Sequence, residues 1–161
     1  IAIRFARGVA FPEIKEDINL QYGKGQILKE GSKDGNNAGG NVAIIAVGSM
    51  VEETYKAIDM LEKENVHPAF VNPVFIKPMD TELIKRVAEN HKHIIVVEEG
   101  IKKGGFGESV ETFILESGID ADVQVMAIDD RFVEQGNVAL LREEIGISYK
   151  NIYEKVMELT R

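Results

Sequence analysis

Four short apolar runs divide the sequence, and segments with apolar residues at helical spacing lie between them. The runs are rich in β-branched residues and mostly continuous, a pattern typical of strands that are covered by helices on both faces. Regular alternation of strand and helix favours right-handed β-α-β units. We therefore predict an α/β fold with an open, mainly parallel sheet and helices on both faces. The predicted strands are residues 42–47, 69–71, 94–97 and 123–128.

Most predicted helices have a start or stop signal in the sequence. Ser49, with Glu52 three residues later, has the pattern of a capping box before the first helix. Asp80 is a cap residue for the second helix, and Gly118 is a stop signal for the third. The last two helices are predicted to pack on one face of the sheet. The predicted helices are approximately residues 51–65, 81–90, 107–118, 137–145 and 149–160.

The segment before residue 42 differs from the rest of the chain. Residues 20–30 contain Gly-Lys-Gly and then alternate in character, which predicts an edge strand. Residues 31–41 have almost nothing to bury, so we predict a mobile hairpin loop between the edge strand and the first buried strand. The predicted sheet therefore carries one edge hairpin.

Composition narrows the class of protein. A chain of 161 residues with 44% hydrophobic content fits one compact domain. Its net charge of -8 repels phosphate backbones and argues against nucleic-acid binding. The absence of cysteine excludes disulfides and thiolate zinc sites, and no apolar run approaches the ~20 residues of a membrane span. We expect a cytoplasmic protein that binds neither nucleic acid nor membrane, and the start at Ile1 indicates a chain cut from a longer one.

Two groups of residues suggest metal binding, and both have a simpler interpretation. Asp34, Asn36 and Asn37 could offer oxygen ligands, but they fall in a loop-like segment rather than after a buried strand. A hard cation needs rigid ligands to offset its dehydration, so a solvated turn is the preferred interpretation. His91 and His93 fit a surface connection better than a metal pair. No serine or threonine lies in a nucleophile elbow.

The predicted carboxyl ends of the strands hold the other candidates. Free amides at the helix start in residues 104–107 could bind an anion, although a tight, closely packed turn explains the glycines better. Glu98 and Glu99 are adjacent on a strand and point to opposite faces, so they are poorly placed to act together as acid and base. We predict that they hold the glycine turn by accepting amide hydrogen bonds. Asp80 is explained as a cap and Lys77 as a partner for a carboxylate, although either could contact a ligand.

Arg4 and Arg7 are the leading candidates for direct substrate contact. The planar guanidinium matches a phosphate dianion, with charge-assisted hydrogen bonds that lysine cannot reproduce in geometry. The two arginines are three residues apart and face opposite sides of an extended chain, so they would not serve one phosphate equally. We expect one of them to bind ligand and the other to pair structurally.

Seven short motifs occur in order along the chain. They are IAIRFARG at 1–8, GKG at 23–25, VGSMVEET at 47–54, NPVFIKPMD at 72–80, VVEEG at 96–100, GGFGESV at 104–110 and IDDRFVEQG at 128–136. The ordered set resembles the C-terminal part of the 1-deoxy-D-xylulose-5-phosphate synthase family of transketolase-type enzymes. The chain departs from that family at Phe5 and Ala6, in place of tyrosine and proline, and at Gln135, where histidine is more frequent.

The resemblance implies a transferase that depends on thiamine diphosphate and Mg²⁺ as a full-length enzyme. In that family the cofactor carbanion attacks pyruvate, carbon dioxide leaves, and the resulting enamine adds to D-glyceraldehyde 3-phosphate. The second arginine of the first motif contacts the phosphate of the aldehyde, a role that carries over to Arg7, with Arg4 as second choice. The catalytic, cofactor-binding and metal-binding groups belong to preceding domains, so none is assigned in this chain.

The resemblance also implies a division into domains. Residues 1–19 would be the tail of a preceding pyrimidine-binding domain with its linker, and residues 20–161 a transketolase C-terminal-like α/β domain. We expect the full-length enzyme to be a homodimer, and this chain alone to bind no cofactor and to be inactive. Two alternatives stay open: the C-terminal domain of a transketolase or of a pyruvate dehydrogenase beta subunit, and a non-catalytic assembly or regulatory module.

Overall fold

The computed structural model describes residues 20–32 and 39–160, which form a five-stranded sheet with helices on both faces. Every predicted strand and helix is present, and β4 is longer than its apolar run suggests. None of the helices in the described residues has the length and apolar character needed to cross a membrane. The elements are β1 (Gln26–Lys29), β2 (Val42–Ala46), α1 (Met50–Lys63), β3 (Ala69–Asn72), α2 (Thr81–Asn90), β4 (His93–Ile101), α3 (Phe106–Glu116), β5 (Asp122–Ile128), α4 (Val138–Glu144) and α5 (Tyr149–Leu159).

The strands lie in the order β1-β3-β2-β4-β5. β2 pairs in parallel with β3 and β4, and β4 pairs in parallel with β5. These four strands therefore end at one side of the sheet, which we name the carboxyl edge. β1 runs antiparallel to β3, with Gln26 opposite Asn72 and Ile27 opposite Val71. The predicted α/β class and the mainly parallel sheet are confirmed.

The predicted edge hairpin is wrong. β1 is the edge strand expected in residues 20–30, but it pairs with β3, which separates it from β2. A long-range contact explains the pairing, because the Asp80 carboxylate accepts hydrogen bonds from Gly25 N at 3.1 Å and from Lys24 Nζ at 3.4 Å. This contact holds the start of β1 beside the end of β3. Residues 33–38 of the connecting loop, which we predicted to be mobile, lie outside the described residues.

The sheet separates two hydrophobic clusters. Alternate residues of a strand point to opposite faces, so Ile44 joins the cluster that contains α1 and α5, while Ile45 joins the cluster of α2 and α3. All five residues of β2 are fully buried, which is the physical origin of the continuous apolar run in the sequence. Burial of one large aliphatic side chain contributes about 1.5–3 kcal/mol, so these clusters dominate the stability of the fold.

The ends of the helices agree with the sequence signals except at α1. Leu83 N donates to Asp80 Oδ1 at 3.2 Å, which confirms the predicted cap of α2. Ser49 has helical backbone angles and makes no side-chain cap bond, so the predicted capping box is wrong. Its hydroxyl instead donates to the Glu99 carboxylate at 2.5 Å, a charge-assisted bond that replaces the local cap. The caps of α4 and α5 are Asn137 and Ser148.

Candidate functional site

Polar side chains gather at the carboxyl edge, where ligands usually bind in α/β proteins. Glu98 and Glu99 lie near the end of β4. Ser49 and Glu53 lie at the start of α1, which follows β2 at the same edge, and Arg142 lies in α4. The sequence points to Glu98 and Glu99 as a candidate pair but gives no such signal for Arg142.

Glu98 caps the first backbone amides of α3. Its buried carboxylate accepts hydrogen bonds from Phe106 N at 3.1 Å and from Gly107 N at 2.8 Å. A negative charge at a helix N-terminus also interacts favourably with the helix dipole. These contacts confirm the predicted structural role of Glu98. The amides that an anion would need at this turn are already in use.

Close contacts leave no room for a side chain at Gly105 or Gly107, which lie beside Glu98 and β5. A Cβ at Gly105 would lie 2.5 Å from Glu98 Oε1 and 2.6 Å from Ile101 O. A Cβ at Gly107 would lie 2.4 Å from Val125 Cγ1. The first glycine thus lets the carboxylate approach the helix, and the second lets α3 pack on β5. The tight-turn interpretation of residues 104–107 is confirmed.

Glu99 points to the opposite side of β4 and binds Arg142. Arg142 Nε and Nη2 donate to the two carboxylate oxygens at 3.0 and 2.9 Å, and Ser49 Oγ donates at 2.5 Å. Burial alone would raise the pKa of Glu99, but the hydrogen bonds from Arg142 and Ser49 outweigh burial and lower that pKa. Glu99 is therefore an anion at neutral pH, suited to hold α4 rather than to transfer a proton. The predicted amide contact with the glycine turn is made by Glu98 and not by Glu99.

Glu53 is a second carboxylate partner of Arg142. Arg142 Nη1 lies 3.4 Å from Glu53 Oε1, and Tyr149 N donates to Glu53 Oε2 at 3.0 Å. Glu53 thus joins α1 both to α4 and to the start of α5. Its position has a signal in the sequence, since it falls on the apolar stripe of α1, where a buried charge requires a partner.

Asp80 joins β1 to α2 at the far side of the carboxyl edge. It accepts hydrogen bonds from Leu83 N at 3.2 Å, Gly25 N at 3.1 Å and Lys24 Nζ at 3.4 Å. Burial opposes its ionisation, but the backbone bonds from Gly25 and Leu83 outweigh burial and lower the pKa of Asp80. Lys77 is exposed and forms no ion pair within the described residues, so the predicted carboxylate partner is not found there.

His91 and His93 lie where the chain enters β4. His91 Nδ1 contacts Val87 O at 2.8 Å, and His93 Nδ1 lies 3.3 Å from Asp122 Oδ2. Both rings therefore make local contacts in the connection between α2 and β4. Within the part of the chain that the structure describes, no group of three or more histidine or acidic side chains could hold a metal ion.

A cavity of about 320 Å³ opens at the opposite edge of the sheet, beside the start of β3. Lys29 and Glu62 in its wall form an ion pair with each other. His67 Nε2 in the same wall lies 3.3 Å from Asn65 Oδ1. The carboxyl edge is the better candidate for the functional site, because ligands of α/β proteins usually bind at the carboxyl ends of the strands.

Three groups of sequence candidates lie outside the described residues. They are Arg4, Arg7 and the loop residues 34–37. The assignment of Arg7 to the substrate phosphate, with Arg4 as second choice, stays a prediction. The interpretation of residues 34–37 as a solvated turn also stays a prediction.

Residues 29–152 match the family model described as the C-terminal domain of transketolase. The matched range contains β2 to β5 and the whole arrangement of Glu98, Glu99 and Arg142. The chain belongs to the transketolase C-terminal domain family.

Relatives of this chain within the family are 1-deoxy-D-xylulose-5-phosphate synthases. The synthase of Dehalococcoides mccartyi is 36% identical over 98% of this chain, and that of Heliobacterium modesticaldum is 35% identical over 99%. Each match covers 24% of the relative. The chain therefore spans about a quarter of the length of the curated relatives that it matches.

Two solved structures are similar in fold to this chain. A split-gene transketolase in an inactive beta4 tetramer superposes with a TM-score of 0.77 at 28% identity, over 90% of this chain and 46% of that one. A 2-oxoglutarate:ferredoxin oxidoreductase from Magnetococcus marinus superposes with a TM-score of 0.55 at 18% identity, over 87% of this chain and 20% of that one. The second likeness concerns the fold alone.

Proposed function

We propose that this chain is the C-terminal domain of a 1-deoxy-D-xylulose-5-phosphate synthase. The longer enzyme would condense pyruvate with D-glyceraldehyde 3-phosphate, with loss of carbon dioxide, and so supply precursors of isoprenoids, thiamine and pyridoxal. The main support is the 36% identity to such a synthase over 98% of the chain. The transketolase alternative has weaker support, because the solved transketolase is 28% identical.

In this role the domain supports assembly rather than bond-making steps. A general acid or base needs a pKa near the working pH and access to the substrate. Glu98 is buried against the start of α3, and the pKa of Glu99 is lowered by its hydrogen bonds. Arg142 is shared between Glu99 and Glu53. These four residues therefore fix the arrangement of helices around the carboxyl edge.

The described residues do not fit a site for thiamine diphosphate and Mg²⁺. A magnesium ion needs oxygen ligands in a near-octahedral arrangement, and within the described residues no cluster of three or more acidic or histidine side chains could hold a metal. The start of α3, a typical place for a pyrophosphate, is filled by Glu98. We assign cofactor binding to other parts of the longer protein.

Arg7 is our candidate for contact with the phosphate of D-glyceraldehyde 3-phosphate, and Arg4 is the second choice. The support is chemical, since a guanidinium forms paired, charge-assisted hydrogen bonds with a phosphate. It is also positional, since Arg7 ends the motif RFAR near the start of the chain. Residues 1–19 would form the tail of the preceding domain, which would place Arg7 near a site shared between domains.

Self-association is part of the same proposal. The solved transketolase relative is described as a beta4 tetramer, an assembly of identical subunits. We propose that the longer enzyme is a homodimer and that it acts in the cytoplasm. The domain would then contribute contacts between subunits as well as contacts within one subunit.

A domain exchange tests the proposed function. The C-terminal quarter of the Dehalococcoides mccartyi synthase is replaced by this chain, and formation of 1-deoxy-D-xylulose 5-phosphate is measured with both substrates, thiamine diphosphate and Mg²⁺. We expect activity comparable with that of the parent synthase. In the exchanged enzyme, Arg7→Ala should raise the KM for D-glyceraldehyde 3-phosphate far more than the KM for pyruvate, and Arg7→Lys should restore part of the loss.

Arg86→Ala is the matched control, because Arg86 is an exposed arginine on α2. It should leave both KM values unchanged. A folded exchanged enzyme without activity would contradict the proposed function. Equal increases of the two KM values in Arg7→Ala would contradict the phosphate contact.

A further inference from the structure

The cavity beside the start of β3 is a second candidate site. Its volume of about 320 Å³ is at the lower end of the range for small-molecule sites. It lies at the edge of the sheet opposite Glu98 and Glu99, so its contacts are separate from those of the carboxyl edge. A cavity of this volume admits only a small molecule.

The backbone on one side of the cavity is held close to the start of β3. Ser32 N donates to His67 O at 2.9 Å. Gly31 has a φ of +74°, and a Cβ there would lie 2.7 Å from Ala69 N, so only glycine fits this approach. This wall is therefore formed before a ligand arrives, which lowers the entropic cost of binding.

Part of the cavity wall is apolar. Ile58 is 1% exposed and belongs to the hydrophobic cluster that contains α1 and α5. Pro68 is buried where the chain enters β3. Small-molecule sites commonly combine such apolar surface with a few polar groups that fix the orientation of the ligand. This part of the cavity suits a short aliphatic group.

Two opposite charges lie in the same wall. Lys29 comes from β1 and Glu62 from α1, and the two form an ion pair. Their side chains are 34% and 38% exposed, so water screens the pair and it adds little stability. A ligand that carries both an ammonium and a carboxylate group can separate the two side chains and pair with each. A ligand with a single charge would leave one of them without a partner.

We propose that this cavity binds a small zwitterion of the aliphatic amino-acid class. The carboxylate of the ligand pairs with Lys29 and its ammonium group with Glu62. Its side chain packs on Ile58 and Pro68. The chain has a net charge of -8, which disfavours a simple anion, whereas a zwitterion has no net charge. The site goes beyond the proposed function, which assigns no ligand to this edge of the sheet.

Titration of the isotope-labelled chain with L-valine, followed by its amide NMR signals, tests the site. We expect a Kd of about 1 mM or below, with the largest shifts at the amides of Lys29, Ser32 and His67. Isobutylamine and 3-methylbutanoate are the matched ligands, because each keeps the valine side chain and only one of its two charges. Each should bind at least about tenfold more weakly than valine. The same spectra show whether the chain is folded.

Two variants test the assigned charges. Lys29→Gln and Glu62→Gln should each weaken valine binding at least about tenfold, because each leaves one charge of the ligand without its partner. Lys63→Gln is the matched control, since Lys63 is exposed on α1 and adjoins Glu62 but is not part of the cavity wall. It should leave the Kd for valine unchanged.

Three results would overturn the zwitterion site. The first is the absence of shifts at the cavity amides with valine in large excess over the expected Kd. The second is equal affinity for valine and for either ligand with a single charge. The third is an equal effect of Lys63→Gln and Lys29→Gln on valine binding. The titration involves no turnover, so its outcome and the outcome of the domain exchange are independent.

Discussion

Glu99 in β4 and Arg142 in α4 lie 43 residues apart in the sequence and share two hydrogen bonds of 3.0 and 2.9 Å. α4 contains no buried residue, so hydrophobic packing contributes little to its position. A guanidinium paired with a carboxylate fixes both distance and orientation. This contact therefore holds α4, together with the exposed segment that precedes it, against the sheet.

Replacement of Arg142 by alanine is expected to loosen α4. The change removes the bonds to Glu99 and Glu53 and leaves Glu99 without its cation, while Glu53 keeps Lys56 at 3.0 Å. We expect a cost of about 1.5–3 kcal/mol in the free energy of unfolding. Arg142→Lys should recover less than half of this loss, because an ammonium group cannot form the paired bonds. Urea unfolding measures the loss, and hydrogen exchange shows whether it is local to α4.

Lys150→Ala is the control for the Arg142 variants. It breaks the ion pair of Lys150 with Glu143, in which both side chains are about half exposed. Solvent screens such an exposed pair, so it adds little stability and the variant should stay close to the wild type. Equal losses in Lys150→Ala and Arg142→Ala would show that Arg142 has no special anchoring role.

The contact between Glu99 and Arg142 also predicts a dependence on pH. Hydrogen bonds from Arg142 and Ser49 outweigh burial and lower the pKa of Glu99 in the folded state. A carboxylate with a lowered folded pKa stabilises the fold above its unfolded pKa, about 4.3 for glutamate. That stability is lost as the pH falls from this value through the folded pKa.

We therefore expect the urea midpoint of the wild type to fall on acidification below about pH 5. In Glu99→Gln the urea midpoint should decrease less on acidification, because glutamine does not titrate. Asp80 titrates in both proteins, so the difference between the two profiles reports Glu99. Superimposable profiles would exclude a stabilising role for the ionised form.

Asp80→Ala should separate β1 from α2. It removes the cap bond to Leu83, which contributes about 1–2 kcal/mol, and the bond to Gly25. Hydrogen exchange at the amides of these two residues should accelerate together. Glu82→Ala is the control, because Glu82 contacts Lys24 but is 84% exposed. If both variants unfold at the same urea concentration, Asp80 is not the link between the two elements.

Gly105→Ala should disturb the start of α3. The added Cβ would lie 2.5 Å from the buried Glu98 carboxylate and 2.6 Å from a backbone carbonyl, neither of which can move freely. Crowding of this kind costs about 1–3 kcal/mol. Gly136→Ala is the control, since its nearest atom outside the adjoining residues is 3.4 Å away. Thermal unfolding should show a lower midpoint for Gly105→Ala but not for Gly136→Ala. Equal midpoints for the two variants would show that the added Cβ at Gly105 causes no crowding.

The buried strands are predictable because packing itself produces their sequence pattern. Residues 42–46 are apolar without interruption, and each is fully buried between two layers of helix. The partner of β1 is not predictable in this way. Its pairing with β3 depends on Asp80 and Gly25, which lie 55 residues apart. A contact over that distance leaves no periodic signal in the sequence.

The candidate site is predictable only where its contacts are local. Glu98 lies within nine residues of the amides that it binds, and the glycines between them indicate the turn. Arg142 lies in a short exposed helix and has no such signal. Ser49 fits a local capping pattern, but the Glu99 carboxylate competes successfully for its hydroxyl. The contacts that the sequence does not predict are therefore those between charged or polar side chains that lie far apart in the chain.

Glu98 is attached to the strand that ends beside α3, so its carboxylate is present at the helix start at a high effective concentration. Dissolved phosphate or sulfate would have to displace this tethered ligand to reach the same amides. Dilution of the protein does not weaken the contact, because ligand and helix belong to one molecule. The hydrogen bonds of the glycine turn should consequently change little with the concentration of dissolved anions.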